Sequence, residues 1–288
     1  YLVEILNNLD ITRYAFDKII IWGPTSILNE IPNLAFIEKK TSRLLDYGLL
    51  GIFIWQFFFR DFDIGKNYDL VFSPFGTYIG RLRPYISMSQ NMLLFEDAER
   101  KRFGLSVDRL KLKILSVIQM FSFKNANALI FLSIYARSII ISKLNLFNVD
   151  TKVINFGISK DFNKCPLIQK SISEYDYNNP FKFLYVSTIM PYKHHFNVIK
   201  AISILRKKGY PITLTLVGDG DVRSTNKLSK IINEYDNRNE FIIWNRNVDL
   251  TGVFDYYHNS DGFIFASTCE NMPNIIIEAM ASGLPIIC

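Results

Sequence analysis

Residues 267–288 read STCENMPNIIIEAMASGLPIIC. The stretch is apolar or small almost throughout, yet Glu270 and Glu278 stand in it eight positions apart. Three successive isoleucines, 275–277, weaken a helix because β-branched side chains lose rotamer freedom there. The EAMASG that follows restores it: good helix formers, then Gly283 where a left-handed cap belongs. Pro273 near the start, and Asn271 or Asn274 as the cap, complete the expected helix. Its first turn would offer backbone N–H groups and a partial positive charge, which suits a diphosphate. Glu278 falls about one turn inside, among apolar residues, where a carboxylate is costly unless hydrogen-bonded or paired. The two hydroxyls of a ribose would satisfy it. Glu270, on the preceding loop, is suited to accept hydrogen bonds from sugar hydroxyls. From the residues alone a structural role for both glutamates, one capping and one salt-bridged, stays open.

Upstream, the pattern alternates. FKFLYVST (181–188) is expected as a strand, and HHFNVIKAISILRKKG (194–209) as a helix. That helix is apolar at Phe196, Ile199, Ile202 and Leu205 and closed by Gly209. ITLTLVGDGD (212–221) is a strand into a glycine turn, STNKLSKIINEYD (224–236) a helix, and EFIIWNR (240–246) a strand. LTGVFDYYHNSD (250–261) is a short helix and GFIFAS (262–267) a strand. In the first half, FDKIIIWGP (16–24), YDLVFSPFGT (68–77), RPYISMSQN (83–91), NALIFLSIYAR (127–137) and KVINFGIS (152–159) continue the series. The polar, proline-punctuated stretch 161–180 has no periodicity and marks the joint. The expected division is 1–165, a linker at 166–180, and 181–288. Strict βα alternation argues for parallel sheets covered on both faces, in two Rossmann-like α/β domains. Ligands of such sheets bind beyond the carboxyl ends of the strands, here the loops STIMPYKHH, GDGD, NRNVD and STCENMPN. Two such domains facing each other would make a cleft.

Composition bounds the class. At 288 residues, 49% apolar and 21% charged, the chain is a folded protein long enough for two domains. Cys165, Cys269 and Cys288 form no CxxC or metal spacing, which fits a reducing, cytoplasmic setting. The opening YLVEILNNLD reads as a helix under way and not as a signal peptide. YGLLGIFIWQFFF (47–59) is too short to span a bilayer. It reads as a buried helix, with contact to a membrane surface as the alternative. The net charge of +6 lies wholly in residues 1–165, where 21 basic residues face 15 acidic ones. Part of it clusters at Arg100, Lys101, Arg102, Arg109, Lys111, Lys113 and Lys124, interleaved with Leu, Ile and Phe. Such a stretch meets nucleic acid, an anionic membrane or a phosphorylated acceptor, or is simply a solvated helix face. His194, His195 and His258 show no ligand spacing, so no metal site is expected.

CENMPNIIIEAMASGLPII (269–287) closely resembles the E-x7-E signature of retaining, nucleotide-sugar-dependent glycosyltransferases of the GT-B fold, family 4 or group 1 type. The resemblance implies that Glu270 meets the donor sugar as a catalytic residue and Glu278 the ribose. It implies that the diphosphate lies on the stretch Asn271, Met272, Pro273 and Asn274. FLYVSTIMPYKHHFNVIKAISIL (183–205) resembles the family's entry into the donor domain. It puts Lys193 on the donor phosphates as a second catalytic residue, with Ser187 and Thr188 beside it. Thr188 stands where the family usually has an arginine. LTLVGDGD (214–221) brings Gly218, Asp219 and Gly220 to the nucleobase, and FIIWNRNVD (241–249) adds Asn245 and Arg246. PYISMSQNMLLFEDAERKRFG (84–104) resembles the acceptor segment of transferases in bacterial surface-polysaccharide assembly. There Asn91 takes the place of a common histidine. Glu96, with Asp97 and Glu99, would line the acceptor unless they form a solvated acidic turn. Family members extend beyond both ends, so the chain reads as trimmed.

What the resemblance implies is metal-independent transfer of a sugar, with retention, from a nucleotide-sugar substrate. The acceptor is a hydroxyl of a saccharide or lipid-linked saccharide. No cofactor and no nucleic acid are expected. The setting is the cytoplasm, with peripheral contact to the inner membrane face through the basic 100–124 stretch. The competing readings are a sugar-nucleotide epimerase of GT-B fold and a non-catalytic GT-B fragment that binds nucleotide or a partner.

Overall fold

A computed structural model describes residues 2–14, 17–59, 68–163 and 169–288. Cys165, the first linker residues 166–168, and Phe16 of the first expected strand lie outside the described residues. The strands are β1 (Ile19–Trp22), β2 (Ile37–Lys40), β3 (Val71–Ser73), β4 (Tyr85–Ser89), β5 (Ala128–Phe131), β6 (Asp150–Val153), β7 (Phe181–Val186), β8 (Ile212–Val217), β9 (Ile242–Asn245), β10 (Gly262–Ile264) and β11 (Ile286–Ile287). β1 and β2 pair alone, β3-β4-β5-β6 form a four-stranded sheet, and β11-β10-β7-β8-β9 a five-stranded one. The chain divides into two compact units, residues 1–88 with 118–129, and 89–117 with 130–288.

In the first unit β1 runs parallel to β2 with Ile19 opposite Ile37, and β3 parallel to β4 with Val71 opposite Tyr85. Leu6, Leu28 and Ile31 close a small core against Ile19, Ile21 and Ile37. The 47–59 stretch is a helix, Gly48–Ile54, that widens into a π-type turn, Trp55–Phe59. The expected burial is only half met. Gly51 and Trp55, one turn apart, face inward, and Trp55 packs on Trp22 with ring centroids 5.1 Å apart. Leu50, Phe57 and Phe58 point to solvent. Leu50 and Phe57, seven residues apart, share a stripe roughly 100° or more around the helix from Gly51 and Trp55.

In the second unit all four neighbour pairs of the five-stranded sheet are parallel, with Leu184 opposite Thr215 and Leu214 opposite Ile242. Alternation sorts the strand residues between two faces. Tyr185, Leu214, Leu216 and Ile242 join one core with Ile199, Ile202 and Leu228, while Leu184, Val217 and Phe263 join another with Tyr257, Ala279 and Leu284. Phe162 belongs to the second core, edge-on to Phe254 and Tyr257.

Helix starts follow their caps. The 222–235 helix begins two residues before the expected start because the Asp221 carboxylate accepts from the Ser224 amide at 2.9 Å. Asp249 does the same for Leu250–His258 through Gly252 at 2.7 Å. The helix His195–Lys207 buries Val198, Ile199, Ile202 and Ser203, and leaves Leu205 exposed. Residues repeating only at i+3 drift about 60° per step around a helix, so the expected stripe leaves the core face at its end. β6 begins at Asp150, two residues ahead of the expected strand, and ends at Val153. After the 222–235 helix the buried Asp236 carboxylate accepts from the amides of Glu240, Phe241 and Ile242 at 2.9, 2.8 and 2.7 Å, which turns the chain into β9.

Candidate active site

Beyond Val186 the chain leaves β7 through Ser187–Met190 and makes one tight helical turn, Pro191–Lys193. His194 then takes a left-handed conformation, φ 53°, before the next helix. The Tyr185 hydroxyl donates to the Lys193 carbonyl at 2.6 Å and fixes the turn from below. Lys193 is only 8% exposed. A buried ammonium requires a counter-charge, and Glu270 supplies it: Lys193 Nζ is ion-paired with Glu270 Oε1. The Tyr192 ring lies 5.4 Å from the same nitrogen. Burial, followed by the Glu270 charge, pushes the Tyr192 hydroxyl up to about 12.

His195 stacks on Tyr185, centroids 4.9 Å apart, with its Nε2 3.0 Å from Ser187 Oγ. Ser187 Oγ in turn donates to the Thr188 carbonyl at 3.2 Å. That direction makes Nε2 the protonated nitrogen and leaves the lone pair on Nδ1, which is buried without a partner among the described residues. Burial first, then the Lys193 and His194 charges, lowers the ring to about 4. The ring is therefore neutral at pH 7. Thr188 is exposed at the mouth of the loop.

The glycine turn after β8 lies against this loop. Gly218 has φ 136°, and a Cβ there would sit 2.2 Å from the Ser187 carbonyl oxygen, so only glycine fits. Its amide donates to Asn245 O at 3.0 Å and its carbonyl accepts from Trp244 Nε1 at 2.9 Å. Ile189 N donates to Asp219 O at 2.9 Å. The Asp219 carboxylate accepts from Gly220 N at 2.8 Å and from Arg246 Nε and Nη2 at 3.2 Å. The Gly220 amide, then Arg246, holds Asp219 below the usual carboxylate range. Ser187, Gly218, Asp219, Gly220, Asn245 and Arg246 thus form one neighbourhood at the carboxyl ends of β7, β8 and β9.

The third loop follows β10. The helix Asn274–Ala281 has Pro273 at its N-cap and no side-chain cap. The expected cap by Asn271 or Asn274 is therefore corrected. Asn274 is the first helical residue, and the Asn271 side chain is committed elsewhere: Nδ2 donates to Ser89 O at 2.9 Å, and Oδ1 accepts from Ser133 Oγ at 3.0 Å. Met272 Sδ accepts from Phe156 N at 3.2 Å. Glu278, half-buried, receives the Tyr257 hydroxyl on Oε2 at 2.7 Å. Burial raises its pKa, and the Tyr257 bond offsets part of the rise. Burial and the Glu278 charge push Tyr257 far up in turn. Nothing in the sequence singles out Tyr257 as this partner except its place in a short apolar helix.

Thr268, on the third loop, ties it to the first loop and to Glu99. Its amide donates to Tyr192 O at 3.0 Å and its hydroxyl to Glu99 Oε2 at 2.8 Å, while His194 Nε2 lies 3.1 Å from the same hydroxyl. Glu99 is buried and also accepts from Arg102 Nε at 2.6 Å. Burial works against its charge, but the bonds from Arg102 and Thr268 hold it below the usual range. Glu96 accepts from the Tyr135 hydroxyl at 2.6 Å, which with burial pushes that hydroxyl up to about 12. Asp97 pairs with Lys143 at 3.1 Å. The acidic turn is therefore tied at every carboxylate. Asn91 accepts from Leu93 N at 3.0 Å and starts a tight turn. Among the described residues no group of three His, Cys, Asp or Glu is placed to hold a metal ion.

Residues 169–288 match the family model described as Glycosyl transferases group 1. Protein CapJ of Staphylococcus aureus is 31% identical over 129 residues, 44% of this chain and 32% of CapJ. The capsular polysaccharide biosynthesis glycosyltransferase CapM of the same organism is 28% identical over 144 residues, 47% of this chain and 36% of CapM. The chain thus spans about a third of the length of these curated relatives. Anabaena HepE, solved with UDP-glucose, superposes with a TM-score of 0.61 at 20% identity, covering 96% of this chain and 74% of its own. WaaG, a glycosyltransferase involved in lipopolysaccharide biosynthesis, gives 0.59 at 13% identity, covering 88% of this chain and 69% of its own. At such identities the likeness is one of fold, and the fold is the expected GT-B type.

Proposed function

We propose that the protein transfers a sugar from a nucleotide-sugar to a hydroxyl of a saccharide or lipid-linked saccharide in surface-polysaccharide assembly. The observation that carries this reading is the buried Lys193–Glu270 pair at the strand ends of a group 1 segment. In this reading the donor diphosphate takes over from Glu270 as the counter-charge of Lys193. The ammonium then stabilises negative charge as it develops on the leaving group. Glu270, released, accepts from hydroxyls of the sugar. Tyr257 occupies Glu278 Oε2, which leaves Oε1 for a ribose hydroxyl. The helix start at residues 273–274 adds its dipole to the phosphates. Retention and metal independence belong to the same reading, with Lys193 supplying the positive charge. Residues 181–288 are the donor domain, 166–180 the linker, and 1–165 the acceptor side, in a cytoplasmic setting.

The test is thermal-shift binding of UDP, GDP, ADP, CMP and their sugars, beginning with UDP-glucose because HepE was solved with it. One nucleotide diphosphate should raise the melting temperature of the parent, and Lys193→Met and Glu278→Gln should abolish the rise. If the parent ignores every nucleotide, or the variants bind as well as the parent, the donor site is not where it is placed here.

A further inference from the structure

The second unit has a cleft at the end of its five-stranded sheet that lies opposite the loops described above. The helices His195–Lys207 and Val222–Tyr235 run back from the carboxyl ends of the strands, so their last turns meet the residues that lead into β7 and β9. β7 is six residues long, which puts about 20 Å between the two ends of the sheet. The cleft encloses about 280 Å³. Arg206 and Lys207 line it from the first helix and Tyr235 from the second. Tyr177, ahead of β7, and Glu240 and Phe241, ahead of β9, close it.

Arg206 is poised there without a polar partner. Its Cζ lies 4.6 Å from the Tyr177 ring centroid and 5.2 Å from that of Phe241. A guanidinium that rests on ring faces keeps the N–H donors of its edge available. Among the described residues the Arg206 guanidinium makes no hydrogen bond and no ion pair, and neither does the Lys207 ammonium. A cation in the last turn of a helix complements the helix dipole, which accounts for Lys207 but not for a guanidinium laid against two rings with its donors idle. Glu240 brings an acceptor to the same cleft, and its pairing with Arg238 is loose, at 3.7 Å between solvent-exposed side chains. The Tyr177 ring is 59% exposed.

We propose that this cleft binds a sugar residue that carries an anionic group. The C–H face of a sugar ring packs on an aromatic ring, and Tyr177 presents one. Sugar hydroxyls both donate and accept, and the cleft sets donors and an acceptor side by side. Two cations stand against one carboxylate that already faces Arg238, so positive charge is left over. The flat fork of Arg206 matches two oxygens of a carboxylate or a phosphate. The cleft is open to solvent, so the bound residue can belong to a longer chain. That this chain is the acceptor or the product rests on the transfer reading, in which the cleft keeps the saccharide on the protein away from the donor loops. The cleft itself does not rest on that reading, and its test involves no donor.

Saturation-transfer NMR titrations would compare glucuronate and mannose 6-phosphate with glucose, mannose, acetate and inorganic phosphate. At least one of the two acidic sugars should bind about tenfold or more tightly than every control. Binding of glucuronate alone assigns the anion as a carboxylate, and binding of mannose 6-phosphate alone assigns it as a phosphomonoester. Arg206→Lys keeps the charge but loses the fork, and should weaken binding about tenfold. Lys207→Gln, at an exposed side chain, should weaken it too, with the melting temperature unchanged. Lys193→Met, in the proposed donor site, should bind the acidic sugar as the parent does. Neutral sugars that bind as well as the acidic ones overturn the proposal, and so do simple ions that bind as well. It also falls if both the Arg206→Lys and Lys207→Gln variants bind like the parent, or if Lys193→Met abolishes binding. A chain that binds an acidic sugar but no nucleotide keeps the cleft while the transfer reading fails. A chain that binds a nucleotide but neither acidic sugar keeps the transfer reading and overturns the cleft.

Discussion

Acidification should act on the second unit through one imidazole. His195 is buried against Tyr185 and is lowered to about 4 by burial and by the neighbouring Lys193 and His194 charges. In the unfolded chain it titrates near the ordinary value of about 6.5. The folded state therefore refuses a proton that the unfolded state accepts. The stabilisation is complete above about pH 6.5 and is lost as pH falls toward 4, at up to about 1.4 kcal/mol per pH unit. Across that interval the loss is about 3 kcal/mol. The assay is urea unfolding between pH 7.5 and about 4, followed by Trp244 emission with Trp22 and Trp55 replaced by Phe, alongside a His195→Gln variant. Gln retains a donor toward Ser187 but does not titrate. Carboxylates that protonate near pH 4 affect both proteins alike, so the difference isolates the ring. At pH 7.5 the variant should be the less stable, by about 1–2 kcal/mol for lost packing and hydrogen bonding. The gap should close or reverse as pH falls. Parallel curves would refute the assignment of a neutral buried ring.

Two further changes probe groups whose partners the structure names. Tyr257→Phe leaves the Glu278 carboxylate without its donor and should cost about 1–3 kcal/mol at neutral pH. Since the Glu278 pKa is already raised, the cost should begin to shrink as pH falls while still above the ordinary carboxylate value, because the neutral acid, which no longer needs the bond, forms early; a pH-independent cost in thermal melts would contradict this. Asp236→Ala removes the acceptor for three amides at once and should destabilise by about 3–5 kcal/mol in urea unfolding, with Asp236→Asn intermediate; an alanine variant as stable as the parent would show that the turn holds without it.

The order of elements in the second unit was legible because each signal was local: an apolar strand, a capping aspartate, a glycine turn. Partners across the fold were not. Glu278 announced itself as a carboxylate out of place, but its donor, Tyr257, sits 21 residues upstream on another helix, and no spacing rule connects them. Asp236 looked like one more polar residue at a helix end, although three backbone amides depend on it. Periodicity reports that a helix has an apolar face and is silent on which way it points. The basic cluster at 100–124 was visible, yet the exposure of Val107, Leu110, Ile114, Val117 and Phe121 follows only from the bonds that turn Ser116, Gln119 and Ser122 inward. For the same reason the 47–59 stretch read as core while Leu50, Phe57 and Phe58 face out.

In the proposed transfer reaction the Lys193–Glu270 pair would separate binding from catalysis in a way that a simple phosphate clamp does not. Both side chains are largely withdrawn from solvent, at 10% and 23% exposure, so their attraction is poorly screened. A diphosphate approaching Lys193 must compete with Glu270 for the same ammonium. Glu270→Gln removes the competitor and leaves the cation in place. It should therefore tighten binding of the nucleotide diphosphate, by about one charge-assisted hydrogen bond, or about 1.5–3 kcal/mol, while abolishing sugar transfer. Lys193→Met should abolish both. Calorimetric titration with the diphosphate that passes the thermal screen distinguishes the two variants. If Glu270→Gln binds more weakly than the parent, Glu270 holds the loop in its binding shape, and the pair is a structural bond rather than a counter-charge waiting to be displaced.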